Sequence, residues 1–301
     1  MAITLTQLRS FLAVVQGGSI TTAANELVVT QPSVSAAVTA LSREVGERLL
    51  ERDGRGIRPT AAGQEFAAYA AEVLGLLEQG GRAAREAAAG NAHALTIAAV
   101  TTAAESFVPP LLQAFALSQP QVELTLEVGN REGVLALVLG HEADVAIGGR
   151  PPSDARIDAA VIAANEMVLI TAADDPLAGR RQVSPDELAS RRFLLREPGS
   201  GTRLVNEEFL AGTGIDARTM TVGSNGAIKQ AARAGLGVSF VSRVTAATEI
   251  DAALLGVIGL KAGLPRRHWY AMRSSVGPLR PVVSDFLAFV ASEDARDVLD
   301  V

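Results

Sequence analysis

The residues best placed to do chemistry in this chain are small and polar rather than strongly nucleophilic or metal-binding. Three runs, Thr101-Thr102-Ala103, Ser200-Gly201-Thr202 and Ser224-Asn225-Gly226, each stand between a strand-like apolar stretch and a stretch of helical periodicity. In an open α/β sheet such junctions lie beyond the carboxyl ends of the strands, where helix N-termini present unpaired N–H groups and a positive dipole end. The chemistry they suit is anion binding. Hydroxyls of Thr101, Thr102, Ser200 and Thr202, the backbone at Gly201 and the amide of Asn225 can complete recognition of an oxyanion, with Arg203 near in sequence to add charge. Asn130 and Gly149 follow two further strand-like stretches and are lesser candidates. Helix N-caps use the same residue types, so a purely capping role stays open at each junction.

Covalent and metal chemistry find little support. The chain has no cysteine, which removes disulfides, thiolate metal sites and cysteine nucleophiles. His93, His141 and His268 are far apart in sequence, and His141-Glu142 does not continue into HExxH. GSGTR is too short for a dinucleotide or phosphate-loop fingerprint, GLGVSF lacks its last glycine, and no GxSxG elbow is present. No catalytic residue, metal or cofactor is expected, and an enzyme is the least favoured reading.

The elements that must position the junctions follow from periodicity. With 301 residues and 48% hydrophobic content, the chain can build two or three compact units. Leu5, Leu8, Leu12 and Val15 predict a first helix stopped at Gly17-Gly18, and Ser19 caps a second over 20–28. Thr30 and Pro32 open a third, with Val34, Val38, Leu41 and Val45 on one face and Gly46 closing it. Residues 49–57 read as a small hairpin turning at Asp53-Gly54. Three helices and a hairpin make a winged helix-turn-helix, assigned to 1–59.

Over 60–89 the chain is alanine-rich, and Phe66, Tyr69, Val73, Leu76, Gly80, Ala83 and Ala87 step alternately by three and four, the spacing of a coiled-coil seam. A helix of about 30 residues extends about 45 Å, so it wants a partner helix. Phe66, Tyr69, Val73, Leu76 and Ala83 are the expected dimerisation residues, and the alternative is a helix lying on its own sensor domain. Beyond residue 90, strands at 94–100, 122–128, 144–147, 167–172, 193–195, 219–222, 238–241 and 269–273 alternate with helices at 107–118, 133–139, 185–190, 203–210, 225–234 and 281–291. This is an α/β pattern of open parallel or mixed sheets. Two lobes are expected in a periplasmic-binding-protein-like arrangement, lobe I at 90–161 and 267–301 and lobe II at 162–266, with crossings near 160–166 and 263–268.

The first 65 residues resemble the LysR family of transcriptional regulators: SITTAANEL, TQPSVS, LLERDGR and TAAG occur in family order and spacing. The remaining chain agrees in length and alternation. FLLREPGSGTR and SNGAIKQAARAGLGVSFVS look most like regulators of carbon-fixation and sulfur-assimilation operons. The resemblance implies a homodimer or homotetramer on double-stranded promoter DNA, switched by a small effector held between the lobes, with the first two junctions facing each other across that cleft. Under the subgroup resemblance the effector is a small metabolite anion.

By the same resemblance the third helix enters the major groove. Gln31 suits an adenine edge, Ser33 and Ser35 offer hydroxyls, Pro32 can touch a thymine methyl, Thr30 caps the helix, and Arg52, Arg55 and Arg58 suit phosphates. One departure stands out: the family usually has a basic residue after the VS of this helix, where this chain has Ala36 and Ala37. Residues 1–60 carry six arginines against five acids, although the whole chain has net charge −6. The alternative function is a small-molecule binding protein without working DNA recognition. The N-terminus has no basic region before its apolar residues, and no apolar run approaches about 20 residues, so a soluble cytoplasmic protein with no membrane partner is expected.

Overall fold

The computed structural model describes residues 2–54, 56–89, 93–261, 263–264 and 266–299. It divides into an N-terminal unit, essentially residues 1–90, and a larger unit covering most of the remainder.

In the N-terminal unit, α1 (Leu5–Gly17) starts from a capping box in which Thr4 accepts from the Gln7 N–H and the Gln7 side chain accepts from the Thr4 N–H. It ends at Gly18, which is left-handed at φ 65°. Ser19 caps α2 (Ile20–Glu26), which is shorter than expected because Val28 turns left-handed and Val29 N–H closes onto Ala24 O at 2.9 Å. Thr30 caps α3 (Gln31–Val45), and Gly46 ends it in the left-handed region. The wing is β1 (Leu50–Asp53) antiparallel to β2 (Gly56–Pro59), two residues later than expected at its far end. Leu8, Phe11, Val14, Ala23, Val34, Leu41 and Leu49 form the core.

The TAAG motif has a structural reason. Thr60 Oγ1 donates to Arg48 O at 2.6 Å and accepts from Gly63 N–H at 3.0 Å, so it ties the wing to the start of α4 (Ala61–Ala89). At Gly63 the helix passes so close to the wing that a Cβ would fall 1.9 Å from Leu49 O.

The apolar residues expected along α4 divide between core and surface. Phe66 is half-buried against Phe11 at 5.8 Å between ring centroids, and Ala70 and Leu74 are buried in the same core. The exposed apolar stripe is Tyr69, Val73 and Leu77, at 62%, 51% and 51% exposure, while Leu76 and Ala83 are half-buried. Phe66 therefore serves the winged-helix core, because the first turns of α4 must cover it.

The larger unit begins with β3 (His93–Val100), α5 (Thr101–Ala104), α6 (Val108–Ser118), β4 (Val122–Gly129), α7 (Arg131–Leu139) and β5 (Val145–Gly148). It continues with β6 (Ile157–Ala172), α8 (Pro185–Leu188), β7 (Phe193–Leu195), α9 (Gly201–Thr213), β8 (Thr219–Thr221), α10 (Asn225–Arg233) and β9 (Ser239–Ser242). Last come α11 (Arg243–Asp251), β10 (Leu255–Ile258), β11 (Arg266–Ser274), α12 (Pro281–Val290) and α13 (Glu293–Leu299).

The strand order is β10-β6-β11-β5-β3-β4, with β9 also on β6 and β7 paired to β8 apart. β3, β4 and β5 are parallel, but β6 and β11 run antiparallel to their neighbours, so the sheet is mixed. The expected strand at 167–172 proves to be the second half of β6, a 16-residue strand whose first half pairs β11 and whose second half pairs β9 and β10. Period-two alternation puts Met167 and Leu169 in one lobe II core with Phe193 and Phe240, and Val168 and Ile170 in the other with Leu194 and Ile228. In lobe I, Ile97, Phe107, Phe115, Ile147 and Phe286 pack on one face and Ala98, Val134 and Met272 on the other.

Candidate effector cleft and nucleic-acid face

A cleft of about 520 Å³, open to solvent, lies between the lobes of the larger unit. The structure brings Thr101, Thr102, Asn130, Gly149, Ser200, Gly201 and Thr202 to its walls. Each arrives for a local reason. Thr101 and Thr102 follow the end of β3, and Thr101 Oγ1 donates to Gly129 O at 3.2 Å, joining the ends of β3 and β4. Ser200 precedes α9 without a side-chain capping bond, which leaves the first N–H groups of a 13-residue helix directed at the cleft region. Gly149 admits a guanidinium: a Cβ there would lie 3.4 Å from Arg267 Nη2.

Asn225 stands elsewhere. It is buried behind the wall, where its Nδ2 donates to Thr102 Oγ1 at 2.9 Å and its Oδ1 accepts from Arg196 Nη1. Both polar ends of the amide are thus used within the protein. The third junction is also a true cap, with Ser224 Oγ accepting from Ala227 N–H at 3.1 Å. Arg203 does not supply charge to the cleft as expected, because it pairs with Glu207 at 2.7 Å and donates to Arg196 O.

The charge comes from arginines that the sequence reading missed. Arg131, Arg196 and Arg267 line the cleft. Arg196 is spoken for by Glu197, with bonds of 2.7 and 2.9 Å. Burial works against ionisation of Glu197, yet the Arg196 hydrogen bonds, a backbone N–H and the Arg203 charge hold its carboxyl below the ordinary value. Arg131 donates to Arg150 O at 3.2 Å, which spends hydrogen bonds but no charge. Burial pulls the Arg267 guanidinium below its usual range; Arg131 and Arg150 add to this, while Glu208 and Tyr270 oppose it. Arg131 directly follows Asn130, and Arg267 sits in the basic pair opening β11; adjacency to the junctions and to a lobe crossing was the available signal. Val100, Met167, Val205 and Trp269 supply an apolar wall, and Asn165 accepts from Ser242 Oγ at 2.7 Å beside them.

In the N-terminal unit, α3 exposes Gln31, Pro32, Ser33 and Ser35 and buries Val34, Val38 and Leu41. Thr30 is occupied as the cap, its hydroxyl lying 2.8 Å from Ser33 Oγ. Ala36 is exposed and Ala37 half-buried, so this face carries no charge before Arg43. On the wing, Arg52 is exposed, whereas Arg58 pairs with Glu51 across the hairpin at 2.9 Å. Arg55 lies outside the described residues.

Residues 5–64 match the family model of the bacterial regulatory helix-turn-helix protein, lysR family, and residues 88–295 match the LysR substrate binding domain. A RuBisCO operon transcriptional regulator of Allochromatium vinosum is 35% identical and spans 98% of both chains. The HTH-type transcriptional regulator CbbR of Sinorhizobium medicae is 34% identical over 98% of this chain and 94% of its own. Among solved structures, the regulatory domain of Synechocystis PCC6803 CcmR in complex with 2-PG is 31% identical, covers 66% of this chain and 96% of that one, and has a TM-score of 0.63. Two family models in tandem and relatives alike over nearly full length establish that this chain belongs to the LysR family of transcriptional regulators.

Proposed function

We propose that this regulator binds double-stranded promoter DNA as a homo-oligomer in the cytoplasm and is switched by a small metabolite anion held in the cleft between its lobes. The observation that carries the ligand class is the crowding of Arg131 and Arg267 on the cleft lining with Arg150 beside them, none with an ion-pair partner among the described residues. Three cations so placed repel one another, and a bound carboxylate or phosphate removes that cost while gaining charge-assisted hydrogen bonds. Ser200, Thr202 and the α9 N-terminus add donors to the same cleft, with Arg131 packed against Gly201, so the cleft suits a compact ligand rich in acceptor oxygens. 2-Phosphoglycolate, the ligand in the CcmR complex, has this character and is the first compound to try.

Titration calorimetry on the full chain tests the reading. Binding of 2-phosphoglycolate that falls by about 10-fold or more in Arg267→Gln supports it, since each tenfold is about 1.4 kcal/mol. Binding unchanged by that substitution refutes it. The second reading, a small-molecule binding protein without DNA recognition, draws on the uncharged exposed face of α3. A gel shift with the DNA upstream of its own gene at low ionic strength decides between them.

A further inference from the structure

Asn225 is a buried amide whose two ends face different lobes. Its orientation is forced by chemistry. A guanidinium has only donors, so the Asn225 atom facing Arg196 Nη1 must be the carbonyl oxygen. The NH₂ end then points to Thr102 Oγ1, 2.9 Å away, and the hydroxyl oxygen must accept. The Thr102 proton is left over. Among the described residues no acceptor takes it, and Thr102 lines the cleft. Polarity therefore runs one way along four residues: Glu197 neutralises Arg196, Arg196 donates to Asn225, Asn225 donates to Thr102, and Thr102 donates into the cleft. Each bond polarises the next, and burial strengthens the effect, since Thr102, Arg196 and Asn225 are all buried.

We infer that Asn225 is a positioning residue: through it Arg196 fixes the Thr102 hydroxyl as a hydrogen-bond donor toward the effector and joins the two lobes in doing so. The inference rests on the anion-binding reading of the cleft and deepens it. The effector atom received at Thr102 accepts that proton, a role an ionised carboxylate or phosphoryl oxygen fills well.

Asn225→Asp tests the relay with almost no change of shape. A carboxylate still accepts from Arg196, but it can no longer donate, so the Thr102 proton turns inward to it and is lost to the effector. Added negative charge alone would also weaken anion binding, and a double-substitution cycle separates the two causes. Calorimetry with 2-phosphoglycolate is run on the full-length wild type, Thr102→Ser, Thr102→Val, Asn225→Asp and the combination of Asn225→Asp with Thr102→Val. Thr102→Ser keeps the hydroxyl and should bind within about 3-fold of wild type, whereas Thr102→Val and Asn225→Asp should each lose about 10-fold. The combined variant should be within about 3-fold of the weaker single, because the donated proton can be lost only once. Losses that multiply to about 100-fold in the combination overturn the relay while leaving the cleft reading intact. Failure of the wild type to bind 2-phosphoglycolate or inorganic phosphate overturns both.

Discussion

Arg280 Nη1 lies 2.6 Å from Asp144 Oδ1, with the two side chains only 4% and 2% exposed. Arg280 also donates to Ala94 O at 2.7 Å, and the second Asp144 oxygen accepts from Thr96 N–H at 2.9 Å, so one ion pair pins the start of α12 to β3. Asp144→Ala leaves a guanidinium buried without its counter-charge and should cost about 3–5 kcal/mol of stability. Combining it with Arg280→Met should restore much of the loss, because two apolar residues leave no orphaned charge. Urea unfolding of the three proteins checks this; a double variant less stable than Asp144→Ala alone would refute it.

Gly63 and Leu49 form a second close relationship, in the N-terminal unit. With a Cβ at position 63 only 1.9 Å from Leu49 O, Gly63→Ala must push α4 away from the wing. The expected cost is about 1–3 kcal/mol, as for other overpacked contacts, together with weaker DNA binding because the wing moves. Gly80, where nothing lies within 4 Å, is the control, and Gly80→Ala should leave both properties unharmed. Thermal unfolding and gel shifts read the contrast.

On α3, Gln31→Ala should lose affinity at particular bases, by about 1–3 kcal/mol for a good paired contact, and leave random DNA nearly unaffected. Arg52→Ala should weaken every sequence alike and flatten the salt dependence by about one phosphate contact. Arg58→Ala should do less than Arg52→Ala, because Glu51 already offsets that charge. Fluorescence anisotropy across a salt series separates the three, and equal loss on specific and random DNA for Gln31→Ala would remove its reading role.

The exposed stripe on α4 gives a prediction about assembly. Val73→Lys places a charge amid Tyr69 and Leu77 and should shift the protein toward monomer, since a charge buried at a helix seam is costly. Phe66→Lys should instead unfold the winged helix, as its ring packs on Phe11. Sedimentation velocity with circular dichroism tells these apart; a Val73→Lys dimer as tight as wild type would refute the seam.

Local signals in the sequence were strong wherever one residue decides a backbone event. Ser19, Thr30, Gly18 and Gly46 mark helix ends that the structure repeats, and the junction residues reach the cleft because strand and helix lengths alone bring them to one edge of the sheet. Hidden features depended on partners distant in the chain. Arg196 and Arg267 are 71 residues apart, and only the crossing of β6 and β11 brings them to one cavity. Asn225 looked like a ligand contact because an amide at a strand-to-helix junction can play either part; the deciding neighbour, Arg196, lies just after β7, 29 residues earlier in the chain. β10 and α11 escaped because LGVI is only four residues long and RVTAATEID has no clean apolar face. Phe66 packs on the winged-helix core; a heptad pattern does not say which apolar residue a neighbouring core will claim.

β6 exchanges partners at one point: its ladder with β11 stops at Glu166, and its ladder with β9 begins at Met167. Rotation of one lobe against the other can therefore bend β6 at the Glu166–Met167 peptide without tearing either ladder. Met167 also faces the cleft, so the pivot and the effector share a wall. A compound that presses on the Met167 thioether acts on the axle itself, and modest changes in its bulk should translate into lobe angle more directly than changes anywhere along the cleft's outer rim.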